Sequence, residues 1–314
     1  MTTSTVFLWG IPILMLSVLV LIFGIVTVKR LPFSFSSSSS SSSFSLPKQK
    51  RKKEEESRGK KEIIYALMVT GKNDERISMA SDAIVQFRAQ TYPHKKMIIL
   101  NHHQRLAVLP AVTKEENNEK NMHCADDDVC EIRVDKEARG LTLGHLRNIL
   151  LELVPLDALW TVWDDDDWRH PDYLAYLENT RKQNHVEAVA ITQRYEYNAR
   201  TRFTWKIRVK KGLPFVLCRS HPSLRYMSRD SMEDVRLSRD IRERFGDIHL
   251  AKNDPQLYIR LVHGDNTSTY VDAKKNMLAS TERNVNYFEY DVSASEERYV
   301  LDRIKYLYDA NVDY

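Results

Sequence analysis

The chain has 314 residues, 42% hydrophobic and 29% charged, with a formal charge of +4, a balance that excludes a wholly disordered chain and suits a soluble globular body with something added. Its three cysteines, Cys124, Cys130 and Cys218, exclude a disulfide-rich framework and leave no CxxC metal pair. One bridge between Cys124 and Cys130 is conceivable in an oxidising lumen, so the cysteines do not fix the compartment.

The added segment comes first. After a tail at 1–5, "VFLWGIPILMLSVLVLIFGIVTV" from Val6 to Val28 carries no charge. Its length of about 23 residues covers roughly 34 Å as a helix, enough to cross a bilayer. "MTTST" lacks the basic start of a cleaved signal peptide, so a single-pass membrane anchor is expected over 6–28. Lys29, Arg30 and the run "KQKRKK" lie beyond it, and by the positive-inside rule they favour a cytoplasmic body, a Golgi-type lumenal one being the alternative. The formal charge is therefore partly juxtamembrane, and the basic run reads as a solvated tail rather than a nucleic-acid site. "FSFSSSSSSSSFS" is low in complexity, so 29–61 reads as a flexible stem. The remaining body, 62–314, has the size of one domain and contains no internal repeat.

The body opens on "EIIYALMVTG", a buried-strand pattern that stops at Gly71. A helix is expected next, with Ile77, Ala80, Ile84 and Phe87 on one face and Pro93 beyond its end. "KKMIIL" is a second strand, and strand, helix, strand implies a parallel pair with a right-handed crossover. "LGHLRNILLELV" predicts another helix, and "ALWTVW" a short apolar strand that runs straight into Asp164, Asp165, Asp166 and Asp167. In open α/β sheets, ligand chemistry gathers at such carboxyl ends.

Four adjacent carboxylates repel one another unless something positive sits among them, and Trp163 and Trp168 are poor company for a loose acidic turn. A bound divalent cation is the economical expectation, since Mg²⁺ and Mn²⁺ take oxygen ligands and share them with substrate phosphates. In an extended segment Asp164 and Asp166 would point one way, leaving Asp165 and Asp167 for other work. A calcium EF-hand loop fails, because Arg169 and Ala175 stand where Gly and Glu are needed. "TGKND" is not a P-loop and no GxG occurs, so phosphate binding is expected to run through the metal.

Further on, "FTWKIRVKKG" alternates apolar and basic residues as a half-buried strand with Lys206, Arg208 and Lys210 on one side. In "SMEDVRLSRDI", Glu233 and Asp234 precede the helical apolar positions Val235, Leu237 and Ile241, a pattern that serves equally as a helix cap or a second acidic site. "LVHGDNTS" places His263 after an apolar strand and opens an N-x-Ser/Thr sequon at Asn266. "SASEERYVLDRIKYLYDA" carries a capping pattern from Ser293 to Glu296 and the repeat of a packing helix.

Taken in order, these pieces resemble a family 2 glycosyltransferase of the GT-A fold. The resemblance rests on "ALMVTGKNDERISMASDAIVQFRAQTYPHKKMIILN", with its Q-T-Y-P turn, then "LGHLRNILLE", "VWDDDDWRHPDYL" and "MEDVRL", from about Ile63 to His263. It implies an α/β fold with a mostly parallel central sheet flanked by helices. It also implies a metal-dependent inverting transfer of one sugar from a nucleotide-diphosphate donor to an acceptor hydroxyl. Asp164 and Asp166 would occupy the D-x-D positions and, with His263, hold Mn²⁺ or Mg²⁺; Asp234 would be the catalytic base with Glu233 beside it. Thr70, Asn101, Arg147, Asn148, Asp164 and Asp165 would line the donor site. Asn101, His102 and His103 stand where the family often has an acidic pair, so a UDP-sugar is only the default donor. No Q-x-x-R-W segment of the processive synthases occurs, which favours a single transfer. The implied partners are that donor, a glycan, lipid or protein acceptor, and the membrane through the N-terminal helix, with no nucleic acid. The alternatives are a metal-dependent phosphotransferase or nuclease and a catalytically silent, membrane-tethered binding module.

Overall fold

The computed structural model of the chain describes residues 62–109, 122–134, 140–209, 216–263, 287–290 and 292–308. The expected anchor over 6–28, the stem over 29–61 and the sequon at Asn266 lie outside the described residues. Among the described residues, no helix is long and apolar enough to cross a membrane.

The first strand β1 (Ile64–Thr70), helix α1 (Asp74–Arg88) and strand β2 (Lys95–Asn101) form the expected unit, with β1 and β2 paired in parallel. Gly71 ends β1 at φ 101°, where a Cβ would meet Asn101 Oδ1 at 2.3 Å and the His103 nitrogen at 2.4 Å, so only glycine lets the chain turn there. A hairpin of β3 (Met122–Cys124) and β4 (Val129–Arg133) extends this edge of the sheet. A disulfide joins Cys124 and Cys130, which face each other across the hairpin, while Cys218 is free and buried.

Helix α2 (Leu143–Leu153) leads to β5 (Leu159–Val162), which pairs in parallel with β1 on its other side. Beyond the aspartates come β6 (Trp168–Arg169), α3 (Tyr173–Gln183), β7 (Ala188–Ile191), β8 (Gln193–Asn198), β9 (Phe203–Val209) and β10 (Val216–Arg219). Helix α4 (Asp234–Phe245), β11 (His249–Ala251), β12 (Tyr258–Val262), β13 (Tyr287–Tyr290) and α5 (Ala294–Tyr308) complete the described chain. The larger sheet has the order β11-β7-β10-β5-β1-β2-β4-β3 and is mostly parallel, with β10 and β3 the antiparallel members. The smaller one has the order β13-β9-β8-β12-β6.

Alternation along the central strands divides the core between two faces. Ile64, Ala66 and Met68 meet Ile84 and Phe87 of α1 and Leu174 and Leu177 of α3; Leu67 and Trp160 meet Leu146 and Leu150 of α2 and Leu237 and Ile241 of α4. The structure is thus a mixed α/β body with helices on both faces of its central sheet. In α4 the expected face is only partly right: Leu237 and Ile241 are buried, but Val235 is 56% exposed and Ser238 takes its place inside. Helix α5 covers the second sheet through Val300 and Ile304. Its first turn is a reciprocal capping box: the Ser293 N–H donates to Glu296 Oε2 at 2.8 Å, and the Glu296 N–H donates to Ser293 Oγ at 3.3 Å.

Candidate active site

Carboxyl ends of three strands converge at one point: β1 brings Thr70, β5 runs into Asp164–Asp167, and β12 ends beside His263. Beneath them lies an aromatic block. Phe87 and Tyr173 meet the Trp163 ring edge-on at 5.6 and 6.3 Å. The buried Arg169 guanidinium lies 4.4 Å from the centre of that ring and 5.0 Å from the Tyr258 ring. Its Nη1 donates to the Asp164 carbonyl at 3.1 Å, while Nε and Nη2 make no hydrogen bond among the described residues.

The expected alternation of the aspartates does not hold, because the chain turns at Asp165–Asp166 instead of staying extended. Asp164 Oδ1 lies 2.8 Å from Arg147 Nη2. Asp165 takes a hydrogen bond from the Thr70 hydroxyl at 2.7 Å and lies 3.2 Å from Arg76 Nη2. Asp166 Oδ2 lies 2.6 Å from Arg76 Nη1 and 2.9 Å from His263 Nε2. Asp167 accepts from the Tyr258 hydroxyl and, at 3.0 Å, from the Leu261 N–H.

These partners set the charges. Burial alone would raise Asp166, but Arg76 and His263 outweigh it and hold the carboxyl well below the usual range. Burial pushes Asp165 up to about 7 against the pull of Arg76 and Thr70. Asp167 is likewise pushed up to about 7 by burial and by Asp166, with Arg169 and Arg260 opposing. The positive charge that the acidic run demands is thus supplied by guanidinium groups of the chain itself.

Arg147, from the second turn of α2, joins this cluster to the second acidic motif: Nη1 pairs with Glu233 Oε1, Nη2 with Asp164, and its guanidinium lies 5.5 Å from the Tyr226 ring centre. Burial would lower Arg147, yet Asp164, Tyr226 and Glu233 raise it well above its ordinary value. Glu233 makes no side-chain cap for α4, so the helix-cap reading gives way to the ion pair. Met232, at a left-handed φ of 55°, makes the turn just before it, and the Met227 N–H donates to the Glu233 carbonyl at 2.9 Å. Burial pushes Asp234 upward against Arg147, with Asp164 adding to the rise; Glu233 is raised in the same way.

Two expected donor residues are committed to the scaffold. The Asn101 side-chain nitrogen donates to Glu131 Oε1 at 2.7 Å and to the Leu106 carbonyl at 2.9 Å, and its Oδ1 accepts from the His103 N–H at 2.8 Å. Asn148 exchanges hydrogen bonds with the Tyr226 backbone, at 3.1 and 2.8 Å, and so ties α2 to the segment leading into Glu233. Thr70, Arg147, Asp164 and Asp165 do meet at the site.

The trio expected to hold a metal, Asp164, Asp166 and His263, does not assemble. Asp166 and His263 meet, but Asp164 turns to Arg147, and among the described residues no group of three His, Cys, Asp or Glu could hold a metal ion. As arranged, two of the three expected ligands, Asp166 Oδ2 and His263 Nε2, lie together, and the Arg76 guanidinium faces both.

Solved structures similar to the chain include S. aureus TarS 1–349 in complex with UDP, at a TM-score of 0.42 and 10% identity over 64% of this chain and 61% of that one. S. aureus TarS 1–349 in complex with UDP-GlcNAc is similar at a TM-score of 0.45 and 9% identity, over 78% and 73% of the two chains. The chain spans about three fifths of the length of the first of these. No protein-family model and no curated protein matches the chain.

Proposed function

We propose that the chain is an inverting glycosyltransferase of GT-A type, anchored through 6–28. It would move one sugar from a nucleoside-diphosphate donor, a UDP-sugar by default, to a hydroxyl of a glycan, lipid or protein acceptor. The observation that carries this reading is the Arg147 guanidinium, shared between Asp164 of the D-x-D segment and Glu233 of the E-D segment. One rigid fork therefore links the end of β5, where a donor would lie, to the start of α4, where an acceptor would enter.

In this mechanism the Asp234 carboxylate accepts the proton of the acceptor hydroxyl as that oxygen attacks the anomeric carbon. The new oxygen–carbon bond forms on the face opposite the breaking carbon–oxygen bond to the diphosphate, which departs with the electron pair. The raised Asp234 is a stronger base than an exposed aspartate, which suits this task. Glu233, held by Arg147, sits beside it to orient the acceptor. No step is routed through a metal, because Asp166 and His263 already face Arg76.

The test is calorimetry of the purified full-length chain with UDP-, GDP- and CMP-sugars, paired with assay of Asp234→Asn. The variant should bind donor normally and lose about 10²–10⁴-fold in turnover. Near-normal transfer by the variant would remove Asp234 from the role. Failure of a folded chain to bind any of the three donors would remove the transferase reading.

A further inference from the structure

We propose that Arg76 is a built-in cation at the donor diphosphate, standing where a divalent ion would stand, so that the chain binds its nucleotide-sugar without metal. This rests on the transferase reading and deepens it.

The guanidinium is placed by Met79 Sδ, 3.9 Å from Nη1, and by three contacts in the acidic cluster. Nη1 lies 2.6 Å from Asp166 Oδ2 and 3.5 Å from His263 Nε2, the oxygen and the nitrogen that would be two ligands of one ion. Nη2 lies 3.2 Å from Asp165 Oδ1. One planar group thus faces all three side chains.

The backbone of the same residue is held on both sides. The Arg76 N–H donates to Asn73 Oδ1 at 2.9 Å, the N-cap of α1. Its carbonyl lies 3.0 Å from the Thr70 hydroxyl, the group that also contacts Asp165. Arg76 is therefore fixed relative to β1, α1 and the aspartates at once, with 16% of its side chain still exposed. A guanidinium has five N–H donors in a fork that suits phosphate oxygens as well as carboxylates. Asp165 and Asp166 hold it in place, and its exposed part would face the diphosphate, whose charge grows as the sugar leaves.

The experiment is Mn²⁺ titration of the full-length chain followed by electron paramagnetic resonance, alongside UDP-sugar calorimetry in EDTA and in Mn²⁺. The wild type should take up no stoichiometric Mn²⁺ and bind donor equally in both buffers. Arg76→Ala should lose at least about tenfold in donor affinity in EDTA, and should gain Mn²⁺ uptake through Asp166 and His263. Arg76→Lys, with circular dichroism of both variants, controls for folding. Stoichiometric Mn²⁺ uptake by the wild type, or donor binding that EDTA abolishes, would overturn the proposal. If no donor binds in either buffer the transferase reading falls, and the Mn²⁺ titration then decides alone: uptake by Arg76→Ala and not by the wild type upholds the built-in cation, and any other pattern overturns it.

Discussion

A single guanidinium, that of Arg147, holds a carboxylate from each of two motifs, and lysine cannot do the same from one point. Arg147→Lys should leave Asp164 or the buried Glu233 without its partner, at a cost of about 1–3 kcal/mol in stability and a lower kcat/KM, read by thermal melts and steady-state kinetics. Asp234 allows a second test. A base must be ionised to act, and burial raises this one, so the acid limb of the kcat/KM profile should fall at a pH above the ordinary aspartate value of 3.8. A limb at or below that value would contradict the assignment. At this scale the sequence carried the acidic residues and, through the resemblance, Thr70, Arg147 and His263 beside them, but not Arg76. Asp164, Asp166, Glu233 and Asp234 stand out as runs, whereas Arg76 lies 90 positions from Asp166 in a helix whose other arginine is an ordinary surface residue. Nothing local distinguishes a guanidinium that folding will bring into an acidic cluster. Four consecutive aspartates also carry no alternation to give away the turn at Asp165–Asp166.

Helix α2 works as a spacer between the sheet and the segment before α4. Gly144 lies against that segment: a Cβ there would meet the Met227 carbonyl oxygen at 1.7 Å, and the Gly144 N–H donates to the Arg229 carbonyl at 3.0 Å. Gly144→Ala should therefore push the Glu233 segment outward, costing about 1–3 kcal/mol and lowering turnover more than donor affinity. Helix α5 offers a pH test of its capping box. The Ser293 N–H, outweighing burial, together with Tyr195 and Lys206 holds Glu296 down to about 2 from an ordinary 4.5. A carboxyl lowered on folding stabilises fully above its unfolded value and loses that contribution as pH falls from about 4.5 to about 2. The melting temperatures of the wild type and Glu296→Gln should differ near neutrality and converge across that window; a constant gap would refute the linkage. These elements were largely legible in advance, since β1, α1, β2, β5 and the Ser293 cap each show their own periodicity or capping residues. The exposed Val235 was misread because tertiary contact, not spacing, chose Ser238 for the interior.

Across the whole body, the central sheet gathers its chemistry at the carboxyl ends of its two middle strands, β1 and β5, while the β3–β4 hairpin at one edge is closed by the Cys124–Cys130 disulfide. That bridge offers a test of address. Glutathione keeps cytosolic thiols reduced, so a chain that retains the bridge has its body in an oxidising space, against the orientation favoured by Lys29 and Arg30. Denaturing the cellular protein without reductant, in the presence of a maleimide-polymer, should add one label, at Cys218; labelling at all three cysteines would return the body to the cytosol. A body shown by that labelling to lie in the oxidising space would make supply of the proposed donor a transport problem. The proposed donor, a nucleotide-sugar, is multiply charged and excluded by hydrocarbon, so in that space a carrier would have to deliver it, and the proposed transfer would depend on that delivery as well as on the chemistry.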